Sequence, residues 1–251
     1  MARFAIVREN AYLLSGWPVG AAPPTDQSKE PEILRLPIHR EGWRFIAIAV
    51  VINALAFLVL GWLGWIVLPI TIWVVAFFRD PERQTPRGAD LIVSPADGKL
   101  LPIVNAVPPP ELGLGRESRV RLSIFMNVFD VHVNRNPVDG SVVTLAYRPG
   151  KFINASFDKA SEQNERMAIR LRMDGPEGVD RDFAVVQIAG LVARRIKCDL
   201  KQGQRVCRGD RFGIIRFGSR LDVYLPAGAR VRAHAGQRTV AGVTVLADFA
   251  N

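Results

Sequence analysis

Gly213-Ile214-Ile215-Arg216-Phe217-Gly218-Ser219-Arg220-Leu221-Asp222-Val223-Tyr224-Leu225 reads as two strand-forming runs joined by a short break, with a Gly-Ser pair at the break. β-Branched and aromatic residues on either side favour extended chain, and glycine punctuates it. A serine directly after a glycine on a tense turn has a chemical option. Its hydroxyl can attack the glycine carbonyl and convert the peptide bond into an ester. β-Elimination then divides the chain and leaves a pyruvoyl group at the new N-terminus. Glycine suits the position before the cut because, lacking Cβ, it tolerates strained dihedrals. Taken alone, the pair is an ordinary turn signal.

Outward from this break the chain keeps the same character. Leu91-Ile92-Val93, Val120 to Phe125, Val142 to Tyr147, Ala168 to Met173, Ala184 to Ala189 and Val243 to Ala247 are short apolar runs separated by Gly and Pro turns. Ile169-Arg170-Leu171-Arg172 alternates strictly, the pattern of a half-buried strand. Such spacing predicts an α+β protein whose catalytic domain is mostly antiparallel β with few helices. The stretch Ile153 to Arg166 reads as a helix or a long loop, and no internal repeat is visible.

Ahead of this region, Phe45 to Phe78 is almost wholly apolar, with Asn53 its one strongly polar side chain. Roughly 34 residues at about 1.5 Å each give a helix near 50 Å, too long for one straight crossing of a hydrocarbon core of about 30 Å. Gly61-Trp62-Leu63-Gly64 divides the stretch, which predicts a helical hairpin at the membrane, spanning or re-entrant. Arg35, Arg40 and Arg44 precede it and Arg79, Arg83 and Arg87 follow, so the positive-inside bias puts both ends, and the catalytic domain, on the cytoplasmic side of the cytoplasmic membrane. The expected organisation is a polar leader (1–44), a membrane-associated segment (45–78) and a catalytic domain (79–251). A helix pair buried in a soluble core is the competing reading of the apolar stretch.

The chain has 251 residues and a formal charge of +9, which favours anionic partners. Nucleic acid fits poorly: there is no Lys/Arg block, zinc-finger spacing or aromatic RNA-binding signature. An anionic lipid surface fits the neighbouring apolar segment. Cys198 and Cys207 lie nine apart with no histidine near them, which predicts two idle thiols and no metal site.

Four motifs occur in order: Ser94-Pro95-Ala96-Asp97-Gly98-Lys99, Asp130-Val131-His132-Val133-Asn134-Arg135-Asn136-Pro137, Asn164-Glu165-Arg166 and Phe217-Gly218-Ser219-Arg220. With Arg79-Asp80-Pro81 after the apolar stretch, the region from about Phe77 to Ala247 closely resembles phosphatidylserine decarboxylases of the short bacterial and archaeal branch. The resemblance implies a membrane-attached proenzyme that cuts itself between Gly218 and Ser219, its two products remaining together as a heterodimer. Ser219 would become a covalent pyruvoyl cofactor, with no metal needed. The amine of phosphatidylserine would form a Schiff base with this group, and phosphatidylethanolamine would be released. The family's activating relay of aspartate and histidine maps onto Asp97 and His132. Other branches carry two histidines three residues apart; here the second position is Arg135, so His132 serves both cleavage and turnover or another residue takes one task. Arg135, Arg166, Arg216 and Arg220 are candidates for the anionic head group, since guanidinium matches phosphate and carboxylate. The alternative is a membrane-anchored β-sandwich carrier or binding module without self-cleavage, suggested by the Pro-x-x-Gly turns at Pro95 and Pro137.

Overall fold

The computed structural model describes residues 37–88, 90–150, 160–175, 181–190, 195–216 and 218–249. The expected leader lies outside them up to residue 36. Two helices come first, α1 (Trp43–Val59) and α2 (Gly61–Phe77), with only Leu60, in extended conformation, between them. They fold back on each other. The Asn53 amide donates to the Gly64 carbonyl (2.9 Å), the Thr71 hydroxyl to the Ala49 carbonyl (3.4 Å), and Phe57 meets Trp65 edge to face at 5.4 Å. Gly64 is the point of closest approach, because a Cβ there would sit 2.2 Å from the Phe57 ring. Ile48, Ile52, Leu55, Leu58, Trp62 and Trp65 are all exposed on the hairpin. An apolar surface this continuous is not stable in water and is suited to lipid. The stretch Arg40–Val59 is long and apolar enough to cross a membrane.

The strands are β1 (Leu91–Val93), β2 (Gly98–Leu100), β3 (Val104–Ala106), β4 (Arg119–Met126), β5 (Val133–Arg135), β6 (Gly140–Arg148), β7 (Arg166–Met173) and β8 (Asp182–Ala189). They continue with β9 (Ile196–Cys198), β10 (Arg205–Val206), β11 (Arg211–Ile215), β12 (Ser219–Tyr224), β13 (Ala229–Val231), β14 (Arg238–Thr239) and β15 (Val245–Phe249). Among the described residues a short α-helix, α3 (Ala160–Gln163), and a 3-10 turn at Pro110–Leu112 interrupt them. The large sheet runs β10-β6-β7-β8-β12-β4-β2-β14, with β3 also on β4; two smaller sheets are β1-β15-β13 and β5-β11-β9. Neighbouring strands are antiparallel throughout.

The alternation read at Ile169 to Arg172 is realised in β7: Ile169 and Leu171 enter the core, while Arg170 and Arg172 turn outward and both bind Asp182 on β8. The main core gathers Leu122, Ile124, Phe183, Val185, Leu221 and Val223 from the central strands. A separate cluster joins Phe77 and Phe78 at the end of the hairpin to Val131, Val133 and Ile214. Hairpin and sheets therefore belong to one packed unit. The helix begins at Trp43, inside the stretch read as leader, and Ile38 pairs as a bridge with Arg79. Most of the stretch expected as helix or loop at Ile153 to Arg166 lies outside the described residues.

Candidate active site at the root of the hairpin

Ser219 opens β12, the strand held between β8 and β4, with Ala189 and Met126 as its cross-strand partners. The preceding strand, β11, belongs to a different sheet, so the Gly-Ser break is a crossing between sheets and not the turn of a hairpin. Gly218 adopts φ +69°, in the left-handed region, yet a Cβ there would meet nothing within 4 Å. Glycine is therefore required by the backbone and not by crowding. Open space lies beside the Gly218 Cα, while Ser219 is completely buried. Among the described residues the serine hydroxyl meets the Met126 thioether, at 4.0 Å, and no other partner.

His132 lies against the glycine of the break. Its Nε2 accepts the Gly218 N–H, which belongs to the peptide one before Gly218–Ser219, at 3.4 Å, and its Nδ1 lies 2.9 Å from the Asp130 carbonyl. A carbonyl can only accept, so Nδ1 carries the proton and Nε2 presents its lone pair to the Gly218 N–H. Burial pushes the imidazole pKa down to about 4; the Asp130 carbonyl and carboxylate oppose that shift and Arg79 adds to it. The ring is fully enclosed, with the Phe77 ring 4.2 Å from it. At neutral pH the site holds an uncharged base.

The other residues singled out from sequence are dispersed by the fold. Asp97 ends the turn leading into β2, two strands from β12 across β4, a separation of about 10 Å. Its carboxylate binds Arg83 (2.9 Å) and the Ala241 N–H (2.7 Å), and burial raises its pKa. Both ring nitrogens of His132 are engaged elsewhere, so Asp97 and His132 do not touch. Arg135 reaches the Gly209 and Pro81 carbonyls and Asp80, which also binds Arg211, and so ties the chain leaving the hairpin to β5 and β11. Arg166 is held by Glu111 and the Ser161 carbonyl. Arg220, the bulkiest fully buried side chain, grips Asp222 through two bonds. Arg216 differs: among the described residues no carboxylate meets it, its Nε is buried without a partner, and its guanidinium lies 5.4 Å from the Phe45 ring centroid. Cys198 and Cys207 are free thiols, and among the described residues no metal-ligating cluster forms.

Two groups escaped the sequence reading. Asn134 and Gln187 are fully buried and joined amide to amide at 2.8 Å, and the Asn134 amide nitrogen reaches the same Met126 sulfur that Ser219 does, at 3.9 Å. Asn134 stands in the motif that carries His132, two residues after it at the spacing of one strand face, while nothing in the sequence marks Gln187.

An apolar hairpin rooted on an antiparallel β domain thus carries at its root a buried serine after a left-handed glycine, with a neutral histidine on that glycine's N–H. Residues 70–247 match the phosphatidylserine decarboxylase family, and the chain belongs to that family. It is 56% identical over 214 residues to the phosphatidylserine decarboxylase proenzyme of Cereibacter sphaeroides, covering 85% of this chain and 90% of the relative. It is 52% identical over 231 residues to the protein of the same description from Paramagnetospirillum magneticum, covering 92% and 94%.

Proposed function

We infer that the chain is a proenzyme that cleaves itself between Gly218 and Ser219 and then converts phosphatidylserine to phosphatidylethanolamine at the membrane. One observation carries the reading: a left-handed Gly218 joined to a buried Ser219, with the Nε2 lone pair of a neutral His132 on the Gly218 N–H, one peptide before the cut. In maturation, the Ser219 oxygen adds to the Gly218 carbonyl carbon while His132 Nε2 takes the hydroxyl proton. The same proton passes to the Ser219 nitrogen as the C–N bond breaks, leaving an ester. Loss of the residue 219 Cα proton to a base eliminates Gly218 as a carboxylate, and water hydrolyses the resulting enamine, by way of its imine tautomer, to the keto group with release of ammonia.

The residues present fit such a group. It is small, it replaces a side chain already enclosed at the head of β12, and space is open on the Gly218 side. The pyruvoyl group supplies a carbonyl for the substrate amine and an electron sink for the pair released with carbon dioxide. His132, uncharged and shielded by Phe77, holds and returns the proton at the substrate carbon. Arg216, the one proposed head-group arginine without a carboxylate partner, meets the lipid phosphate or carboxylate. Arg135, Arg166 and Arg220 brace the surrounding strands. Asp97 enters the relay only by exchanging Arg83 for a bridge to His132, and its raised pKa suits a group that carries a proton in one step.

After cleavage the fragment from residue 219 onward stays bound, because β12 is paired on both edges and β14 and β15 pair with β2 and β1. The root of the hairpin sets the site at the bilayer surface, and exposed Arg40 and Arg44 beside it favour anionic lipid on the cytoplasmic face. Intact-mass analysis of the purified protein tests the reading. Two chains meeting at Gly218/Ser219, the smaller with a blocked N-terminus, are expected. Ser219→Ala should leave one full-length, inactive chain. A full-length wild-type chain with decarboxylase activity would overturn the mechanism.

A further inference from the structure

Asn134 has more hydrogen-bonding capacity than the described structure uses. It is fully buried, its carbonyl oxygen accepts from the Gln187 amide nitrogen at 2.8 Å, and its own amide nitrogen finds only the Met126 sulfur at 3.9 Å. A thioether is a weak acceptor, so among the described residues these two buried N–H donors have no strong partner. With the Gln187 donor on the oxygen end of the Asn134 amide, the nitrogen end is turned toward Met126. The opposite end of the Gln187 amide, its Oε1, is itself buried without a partner. A pair this poorly satisfied calls for a reason.

The place it faces supplies one. The Met126 sulfur touched by Asn134 is also the partner of the Ser219 hydroxyl, at 4.0 Å. Met126 is the cross-strand neighbour of Ser219, and His132, two residues before Asn134, meets the peptide nitrogen of Gly218. The motif thus brings two groups to the break: the imidazole on the Gly218 N–H and the amide on the Met126 sulfur that Ser219 also meets. Met126, unbranched and flexible, fills the gap between amide and hydroxyl and can swing aside.

We propose that Asn134, oriented by Gln187, is a further catalytic residue of chain cleavage, the donor to the oxyanion that forms on the Gly218 carbonyl. When the Ser219 oxygen bonds to the carbonyl carbon, the C=O π pair moves onto oxygen and the hydroxyl proton goes to His132. The charge is stabilised by the Asn134 N–H until the C–N bond breaks and the C=O bond re-forms. A preoriented donor in a buried site needs little reorganisation at that moment, and removing one such donor typically slows a reaction about 10²–10³-fold. The inference rests on the self-cleavage reading above and fails separately from it.

The test follows precursor loss on a gel for purified full-length proenzyme carrying Asn134→Asp, which keeps the shape and the bond from Gln187 but removes the donor. Asn134→Ala and Gln187→Met are compared with it. Melting curves confirm folding, and hydroxylamine added during maturation traps the ester. Asn134→Asp and Asn134→Ala are expected to cleave about 10²–10³-fold more slowly with little trappable ester, and Gln187→Met to fall between them and wild type. If Asn134→Ala does not fold, the Asp and Met variants decide. Folded variants that cleave within tenfold of wild type, or that build up ester at the normal rate and stall afterwards, would overturn the proposal. Wild-type protein that never cleaves would sink the self-cleavage reading instead.

Discussion

Replacing Phe77 tests whether the hairpin controls the chemistry or merely anchors it. Phe77 is 1% exposed and its ring lies 4.2 Å from that of His132, so it is a principal part of the apolar cover that drives the imidazole pKa down to about 4. Phe77→Ala lets water reach the ring and should return the pKa toward the ordinary value of about 6.5. Only neutral His132 can take the Ser219 proton. At pH 5.5 the wild-type imidazole is about 97% neutral, against about 9% for a group at 6.5, so the variant should cleave about tenfold more slowly there and near the wild-type rate at pH 8. The truncation also costs about 3–5 kcal/mol of stability, so Phe77→Leu, which keeps most of the cover, is the control. Its acid limb should stay close to that of wild type. The assay is the pH dependence of precursor loss in folded protein. A wild-type profile that already breaks near 6.5, or an Ala variant whose limb does not move, would refute the claim that the hairpin root sets the base.

Other outcomes follow from the same geometry. Because His132 titrates near 4 when folded and near 6.5 when unfolded, the unfolded chain binds more protons between those values. The stability linked to this group is complete above about 6.5 and lost as pH falls toward 4, up to about 3 kcal/mol, and denaturant titrations of the Ser219→Ala precursor should show it. Arg220→Ala leaves the buried Asp222 carboxyl without its main partner and should destabilise the fold by about 3–5 kcal/mol, read as a lower denaturation midpoint. Arg216→Ala should leave the midpoint nearly unchanged while raising KM for phosphatidylserine; an unchanged KM would remove Arg216 from the substrate site. Gly218→Ala forces a Cβ into the left-handed region and should slow maturation without preventing folding, since no atom blocks the new methyl. Polar substitutions at Ile52, Leu55 and Ile66, all on the exposed hairpin surface, should weaken sedimentation with lipid yet leave self-cleavage intact. Deleting the whole hairpin should also cost maturation, because Phe77 and Phe78 leave with it.

The amino-acid sequence by itself determined the features carried by neighbours along the chain. Period-two alternation gave β7, short apolar runs gave β1, β4, β6, β8 and β15, and an apolar stretch divided at Gly61 gave the hairpin, because a strand or a helix declares itself within a few residues. The Gly-Ser break and the ordered motifs gave the family in the same way. Tertiary structure alone decided who meets whom. Gly218 and His132 are 86 residues apart, and Trp73 reaches the Val128 carbonyl across 55. Contacts at that range depend on sheet order and register, and no local pattern records them. Hence three of the four arginines chosen for a head group turned out to brace carboxylates, Asp97 stands two strands from the serine, and the apolar segment read as an anchor also walls in the histidine. The same holds for Asn134 and Gln187. Neither amide declares a role in the sequence, and only the tertiary structure buries the pair and leaves the Asn134 N–H on a weak thioether acceptor that Ser219 also meets.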